Sequence, residues 1–200
     1  MNLPNKLTVF RMILVPIFIL IGYIGVPGSF LGINTTFWIM NLIFIIASIT
    51  DNLDGVIARK NNFVTNFGKF LDPIADKILV ISALIMLVEF RKIPAWIPII
   101  VITREFLVSG YRLIAVQSTG NVIAANFWGK LKTVTQMLAI IFTFVDKYNF
   151  CDFLNKASSM ETVCLIINLL SSVLMALSIV ATIFSGWSYL KGGKELLKDK

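Results

Sequence analysis

The chain contains no histidine, and only 11 of its 200 residues are acidic. Without imidazole it lacks the side chain that titrates near neutrality and the commonest nitrogen ligand for metals. Any acid–base or metal chemistry therefore falls to carboxylates. Charge of both signs is scarce: 14% of residues are charged against 57% hydrophobic, where a soluble domain carries roughly a quarter charged. That excludes an ordinary water-soluble domain and makes lipid the main solvent. Cysteine is scarce too. Cys164 falls inside an apolar run and Cys151 in a polar connection, and one pair without ligand spacing supports neither a zinc site nor a disulfide framework. Internal repeats and low-complexity tracts are also lacking.

What is present is a series of long apolar runs, at roughly 9–26, 36–58, 70–90, 94–116, 126–146 and 161–190. At about 20 apolar residues per membrane crossing, these predict an all-α integral membrane protein with six transmembrane helices. Residues 1–200 then form a single membrane domain with no room for an extramembrane one. Residues 2–6 predict a turn into a short N-terminal interfacial helix, with Asn5 or Thr8 able to cap it. Polar breaks at 27–35, 59–68 and 147–160 read as connections. Lys6 and Arg11 ahead of the first apolar run resemble the start of a signal peptide. Arg11 at the edge of that run, with no clean small-x-small cleavage site after it, favours an uncleaved first span.

The net charge of +7 raises the question of nucleic acid, and the placement of the charges answers it. Lys and Arg cluster at the ends of apolar runs, where they orient helices and meet anionic headgroups; no basic arm is present. The amino terminus, the 59–69 and 117–132 connections, the carboxyl tail and the adjoining helix ends hold most of them. These are Lys6, Arg11, Arg59, Lys60, Lys69, Lys77, Arg104, Arg112, Lys130, Lys132, Lys191, Lys194, Lys198 and Lys200. The opposite side holds only Arg91, Lys92, Lys147 and Lys156. By the positive-inside rule both termini are cytoplasmic, in a multi-pass protein of a cell membrane.

Against this apolar background the acids stand out. Asp51 and Asp54 are three apart and Asp72 and Asp76 four apart, so each pair shares one face of a helix. A short 59–69 connection makes the two helices antiparallel neighbours, letting the four carboxylates converge near the cytoplasmic end of a bundle. Unpaired, they would repel one another. Divalent cations relieve that repulsion, and hard carboxylate oxygens favour Mg²⁺ or Mn²⁺. Structural ion pairs with Arg59, Lys69 and Lys77 are the plainer alternative, but that many acids in a lipid-embedded segment are costly without a ligand. Gly55, Ala58 and Gly68 beside them permit close approach of a helix or of a ligand.

The whole stretch reads Asp51-x-x-Asp54-Gly55-x-x-Ala58-Arg59, then eight residues, then Gly68-x-x-x-Asp72-x-x-x-Asp76. It resembles the CDP-alcohol phosphotransferase family at every fixed position of that family's motif. The resemblance implies a six-helix, usually homodimeric membrane enzyme with its active site facing the cytoplasm. A hydroxyl would attack the pyrophosphate of a CDP-linked lipid and displace CMP. By resemblance, Asp51, Asp54, Asp72 and Asp76 hold two metal ions, and Asp76 is also the catalytic general base. Gly55, Ala58, Arg59 and Gly68 would line the CDP-lipid site, with Asn5 and Thr8 of the opening segment.

Arg104 and Arg112 are eight apart, near one face of the fourth helix, and Lys130 and Lys132 open the fifth. Four cations facing a cavity that already takes a nucleotide lipid predict a second anion, a phosphate-bearing acceptor. Pairing of Arg104 with Glu105 is the alternative, and neighbouring helical residues do not face each other. The segments Asn5-Lys-Leu-Thr8-x-x-Arg11, Thr103-Arg104-Glu105 and Gly129-Lys130-x-Lys132-Thr133-x-x-Gln136 resemble the bacterial branch of the family that joins CDP-diacylglycerol to sn-glycerol 3-phosphate. That resemblance implies phosphatidylglycerol phosphate as product. Another phosphorylated polyol such as inositol phosphate is the rival acceptor, and a divalent-metal transporter the remote alternative. From Asp146 onward no motif is apparent, and the segment reads as one span and a basic tail.

Overall fold

The computed structural model describes residues 3–61, 66–119 and 127–192, with the side chains of 3–6, 51–61, 66–73, 76, 112–119, 190 and 192 left aside. Seven α-helices occur among the described residues. Six are long: α1 Leu3–Ile24, α2 Thr35–Asn61, α3 Asn66–Glu89, α4 Trp96–Thr119, α5 Phe127–Val145 and α7 Thr162–Gly192. Between α5 and α7 lie the single turn α6, Phe153–Lys156, and a 3₁₀ turn, Ala157–Ser159. All six apolar runs fall on long helices.

Two expectations at helix ends are corrected. No separate N-terminal helix precedes the first span, because α1 is continuous from Leu3. Pro4 lies in its first turn, where a missing N–H costs nothing, so Asn5 and Thr8 sit inside the helix and not at its cap. The 59–68 connection is also shorter than read: α2 continues to Asn61 and α3 resumes at Asn66. Arg59 and Lys60 are good helix formers, and helical continuation outweighs the polar composition.

The connection from α1 to α2 is a small hairpin, with strands β1 Ser29–Phe30 and β2 Ile33–Asn34 paired Ser29↔Asn34 and Phe30↔Ile33. Its two turn residues, Leu31 and Gly32, have φ of 54° and 73°, the combination that suits a tight two-residue turn. Asn34 Oδ1 then accepts a hydrogen bond from Thr36 N–H at 2.9 Å, starting α2 with a side-chain cap. At the end of α3, Arg91 is left-handed (φ 57°). The bonds Lys92 N→Leu87 O and Arg91 N→Val88 O, both 2.8 Å, close the helix by the usual left-handed termination.

The core is built by α1, α2 and α3 on one side and α5 and α7 on the other. Phe18, Met40, Phe44, Leu84, Leu87, Ile140, Phe144 and Met175 are all buried in it. Phe18 and Phe144 meet edge-on at 5.9 Å, and Phe37 and Phe90 at 4.9 Å.

Helix α7 distributes its residues the opposite way from a helix of a soluble protein. Asn168, Ser171, Ser172, Ser178, Thr182 and Ser185 are buried, while Val163, Ile166, Leu170, Val173, Leu177, Val180, Ile183 and Trp187 are exposed. With buried Met175 between Ser172 and Ser178, positions 168, 171, 175, 178, 182 and 185 recur every three or four residues, the period of one helix face. Small polar residues inside and large apolar ones outside are what a bundle immersed in lipid requires. Their hydroxyls are satisfied locally, as in Ser178 Oγ→Met175 O at 2.8 Å and Thr182 Oγ1→Ser178 O at 2.6 Å. By length and composition, Leu7–Ile24 and Thr162–Tyr189 can each cross a membrane, and the apolar part of α2 at Thr35–Thr50 is shorter.

A second polar cluster sits where α5 ends. Asp146 is buried, and its Oδ2 accepts from Asn168 Nδ2 at 2.8 Å and Ser171 Oγ at 2.6 Å. Its Oδ1 accepts from Tyr148 N–H at 2.9 Å. Lys92, buried after α3, donates to Asp146 O at 2.5 Å, and its own carbonyl accepts from Phe150 N–H at 2.8 Å. This clasp joins the α3–α4 connection to α5 and α7. Burial lowers the Lys92 ammonium below its ordinary pKa, against the opposing pull of Asp146 and Asp152.

Candidate active site

The acidic motif lies on two helices. Asp51 and Asp54, with Gly55, Ala58 and Arg59, occupy the C-terminal part of α2, and Gly68, Asp72 and Asp76 the N-terminal part of α3. Because the backbone is helical through both segments, each aspartate pair keeps one face by spacing alone. The side chains of these eight residues fall outside the described set, as do those of Asn5 and Arg112. As a donor set, four carboxylates with no imidazole and no thiolate fit hard divalent cations such as Mg²⁺.

On α1, Thr8 and Arg11 are both buried, in line with Val15 and Phe18. Arg11 had read as an edge charge. Its burial on the same stripe as the core residues brings it, with Thr8, to the inward face of the bundle.

The basic residues are brought together more tightly than their spacing foretold. Glu105 Oε1 lies 2.8 Å from Arg104 Nη1 and 2.6 Å from Lys132 Nζ, so one carboxylate oxygen bridges α4 and α5. Adjacent helical residues were expected to point apart; the long guanidinium arm swings back and pairs regardless. Arg104 Nη2 also donates to Ser185 Oγ, on α7. From α3, Lys77 donates to Ser109, whose hydroxyl donates in turn to Glu105 O at 2.7 Å. Lys132 is buried, whereas Lys130, two residues earlier, is exposed. Arg104 and Glu105 lie in the first half of α4, about 12 Å from its start at 1.5 Å per residue, and not near its end as the sequence reading had it.

Arg104 Nε, in this cluster, is buried with no hydrogen-bond partner among the described residues; Gln136 Nε2, one turn after Lys132 on α5, and Tyr111 Oη, two turns after Arg104 on α4, are the same. Unsatisfied polar atoms in an apolar interior are costly, so Arg104 retains hydrogen-bonding capacity beyond its contacts to Glu105 and Ser185. Ser185 escaped the sequence reading, which found nothing in the last third of the chain. The recurrence of Ser and Thr at 171, 178, 182 and 185 was the available signal.

Two helices of spanning length and composition and an inward polar face on α7 suit a chain that lies in a membrane. Residues 1–184 match the family model described as CDP-alcohol phosphatidyltransferase, and the chain belongs to that family. Among curated proteins it is similar to the CDP-diacylglycerol–glycerol-3-phosphate 3-phosphatidyltransferase of Bacillus subtilis, at 41% identity over 98% of this chain and 97% of that one. The protein of that name from Rickettsia bellii is 37% identical over 97% and 96% of the two chains. That from Haemophilus influenzae is 43% identical over 70% and 73%.

Proposed function

We propose that this protein transfers the phosphatidyl group of CDP-diacylglycerol to sn-glycerol 3-phosphate, giving phosphatidylglycerol phosphate and CMP. The observation that carries the reading is near-full-length similarity to transferases of that name in a chain that keeps all eight motif positions from Asp51 to Asp76. The buried Lys132 and the partly buried Arg104 supply what a phosphate-bearing acceptor needs and what an uncharged alcohol does not.

In this reading residues 1–200 are one catalytic domain. Its six long helices all cross a bacterial cytoplasmic membrane, with both termini and the active site on the cytoplasmic side, and the working unit is a homodimer. Asp51, Asp54, Asp72 and Asp76 would hold two divalent ions, Mg²⁺ or Mn²⁺. When bound, such ions offset the negative charge on the pyrophosphate oxygens and on the departing CMP.

The remaining work falls to the chain's own residues. Gly55, Ala58 and Gly68 leave room for the nucleotide, and Arg59, Asn5 and Thr8 contact the CDP-lipid. Arg104, Arg112, Lys130 and Lys132 hold the acceptor phosphate and so aim a hydroxyl at the donor. Asp76 accepts the proton of that hydroxyl as its oxygen bonds to the phosphorus bearing diacylglycerol. The phosphoanhydride bond breaks and CMP leaves with the electron pair.

The test is product identification after incubating purified protein with CDP-diacylglycerol, Mg²⁺ and a panel of alcohols. Release of CMP with phosphatidylglycerol phosphate, dependent on glycerol 3-phosphate, is the expected result. Turnover only with another acceptor, such as inositol phosphate, would overturn the assignment.

A further inference from the structure

We propose that Ser185, on α7, is a positioning residue for the acceptor phosphate and acts through Arg104. This rests on the reading of Arg104 as an acceptor-phosphate ligand. Two contacts fix the guanidinium. Glu105 Oε1 takes Nη1 at 2.8 Å, and the fully buried Ser185 hydroxyl takes Nη2 from a residue 81 positions away. Each contact comes from a different helix, so neither the rotamer nor the plane of the fork is free. Of the five guanidinium N–H donors these contacts take two, and those left over include Nε, buried and without a partner among the described residues.

The surroundings keep this geometry open. A Cβ at Gly129 would come 3.5 Å from Arg104 Nη2 and 3.7 Å from Ser185 Oγ, and one at Gly186 would come 3.6 Å from Arg104 Cγ. Those are ordinary van der Waals distances, so the arginine runs close against α5 and α7 with room even for a Cβ at either glycine. The same Glu105 oxygen that fixes Arg104 also fixes Lys132, so the two cations are presented as a unit. Lys77, Arg104 and Lys132 all act on Glu105, and cations so gathered suit a phosphate monoester, which carries about −1.5 to −2 at neutral pH.

A planar, prearranged fork loses less entropy on meeting a phosphate than a free side chain does. Without its serine, Arg104 keeps its charge but loses one of two restraints. The consequence falls on the acceptor and not on the CDP-lipid.

The experiment is a double-mutant cycle in the CMP-release assay, with Ser185→Ala, Arg104→Lys and the double variant, each KM measured for both substrates. Ser185→Ala is expected to raise the acceptor KM about tenfold, the loss of one hydrogen bond to a charged group. The KM for CDP-diacylglycerol stays unchanged. In the Arg104→Lys background, where no fork remains to hold, Ser185→Ala should add nothing further.

A merely structural serine would move both KM values alike or add its full effect in both backgrounds. Either of these overturns the proposal, as does an unchanged acceptor KM. If the unaltered protein fails to use glycerol 3-phosphate, the functional reading itself fails and the proposal falls with it. That outcome is visible before any variant is made.

Discussion

Lys132 Nζ on α5 lies 2.6 Å from Glu105 Oε1 on α4, and that oxygen is shared with Arg104 at 2.8 Å. The sharing makes the partners unequal. Lys132→Met leaves Glu105 still paired with Arg104, and should cost roughly 1–2 kcal/mol. Glu105→Ala removes the partner that the two cations share and should cost more, roughly 3 kcal/mol. Thermal unfolding in detergent compares them. Equal losses would mean that the shared oxygen does not organise the cluster.

Asp76→Asn keeps the size of the side chain and removes both its charge and its capacity to accept a proton. Turnover should fall at least about a hundredfold, the usual contribution of a positioned base, with binding of CDP-diacylglycerol largely kept. Turnover and equilibrium binding measured on the same preparation decide it. Retained activity would remove Asp76 as the base.

Arg112→Ala should raise the KM for glycerol 3-phosphate by about tenfold or more and that for the CDP-lipid far less. Steady-state kinetics with each substrate varied in turn gives the split. Equal effects on both would count against a dedicated acceptor-phosphate site.

Asp146 accepts from Asn168, Ser171 and the Tyr148 N–H. Asp146→Ala would leave these three donors without their acceptor, and a loss of roughly 3 kcal/mol is expected, since each orphaned buried group costs about 1–3 kcal/mol. The acidic motif lies on other helices, so activity below the melting temperature should survive. A variant that melts normally would remove the clasp as a stabilising element.

Burial alone would raise the Asp152 carboxyl. The hydrogen bond from Lys156 at 3.0 Å, that from the Asn149 N–H at 3.1 Å and the charges of Lys156 and Lys92 outweigh it and hold the pKa below the ordinary carboxylate value. A depressed native pKa stabilises the fold above the unfolded value, and that stabilisation is lost as pH falls through the native one. Below about pH 4 the unaltered protein should therefore lose melting temperature more steeply than Asp152→Asn. The difference is small, because the pair is largely solvated. Parallel pH profiles of the two proteins would refute it.

The places where structure and sequence reading part are instructive. The six apolar runs lie on the six long helices because a helix satisfies its backbone internally and needs only local apolar length. The connection at 59–68 was overcalled because polar composition marks the end of an apolar run, not the end of a helix. Arg11 was read as an edge charge because burial depends on which face meets a neighbour, and spacing along one helix cannot supply that. Arg104 and Glu105 pair because a long, flexible side chain overcomes an unfavourable neighbouring position.

The sequence by itself determined the six long apolar helices, the connection at 27–35 and the family motif. All of these depend on residues a few positions apart, where backbone geometry does the work. Only the tertiary structure decided that Glu105 would bridge Arg104 and Lys132, that Asp146 would meet Asn168 and Ser171, and that Ser185 would reach Arg104 across 81 positions. Those contacts depend on how α4, α5 and α7 pack. In a bundle whose outer surface is apolar, the few polar side chains lower their energy by finding one another inside.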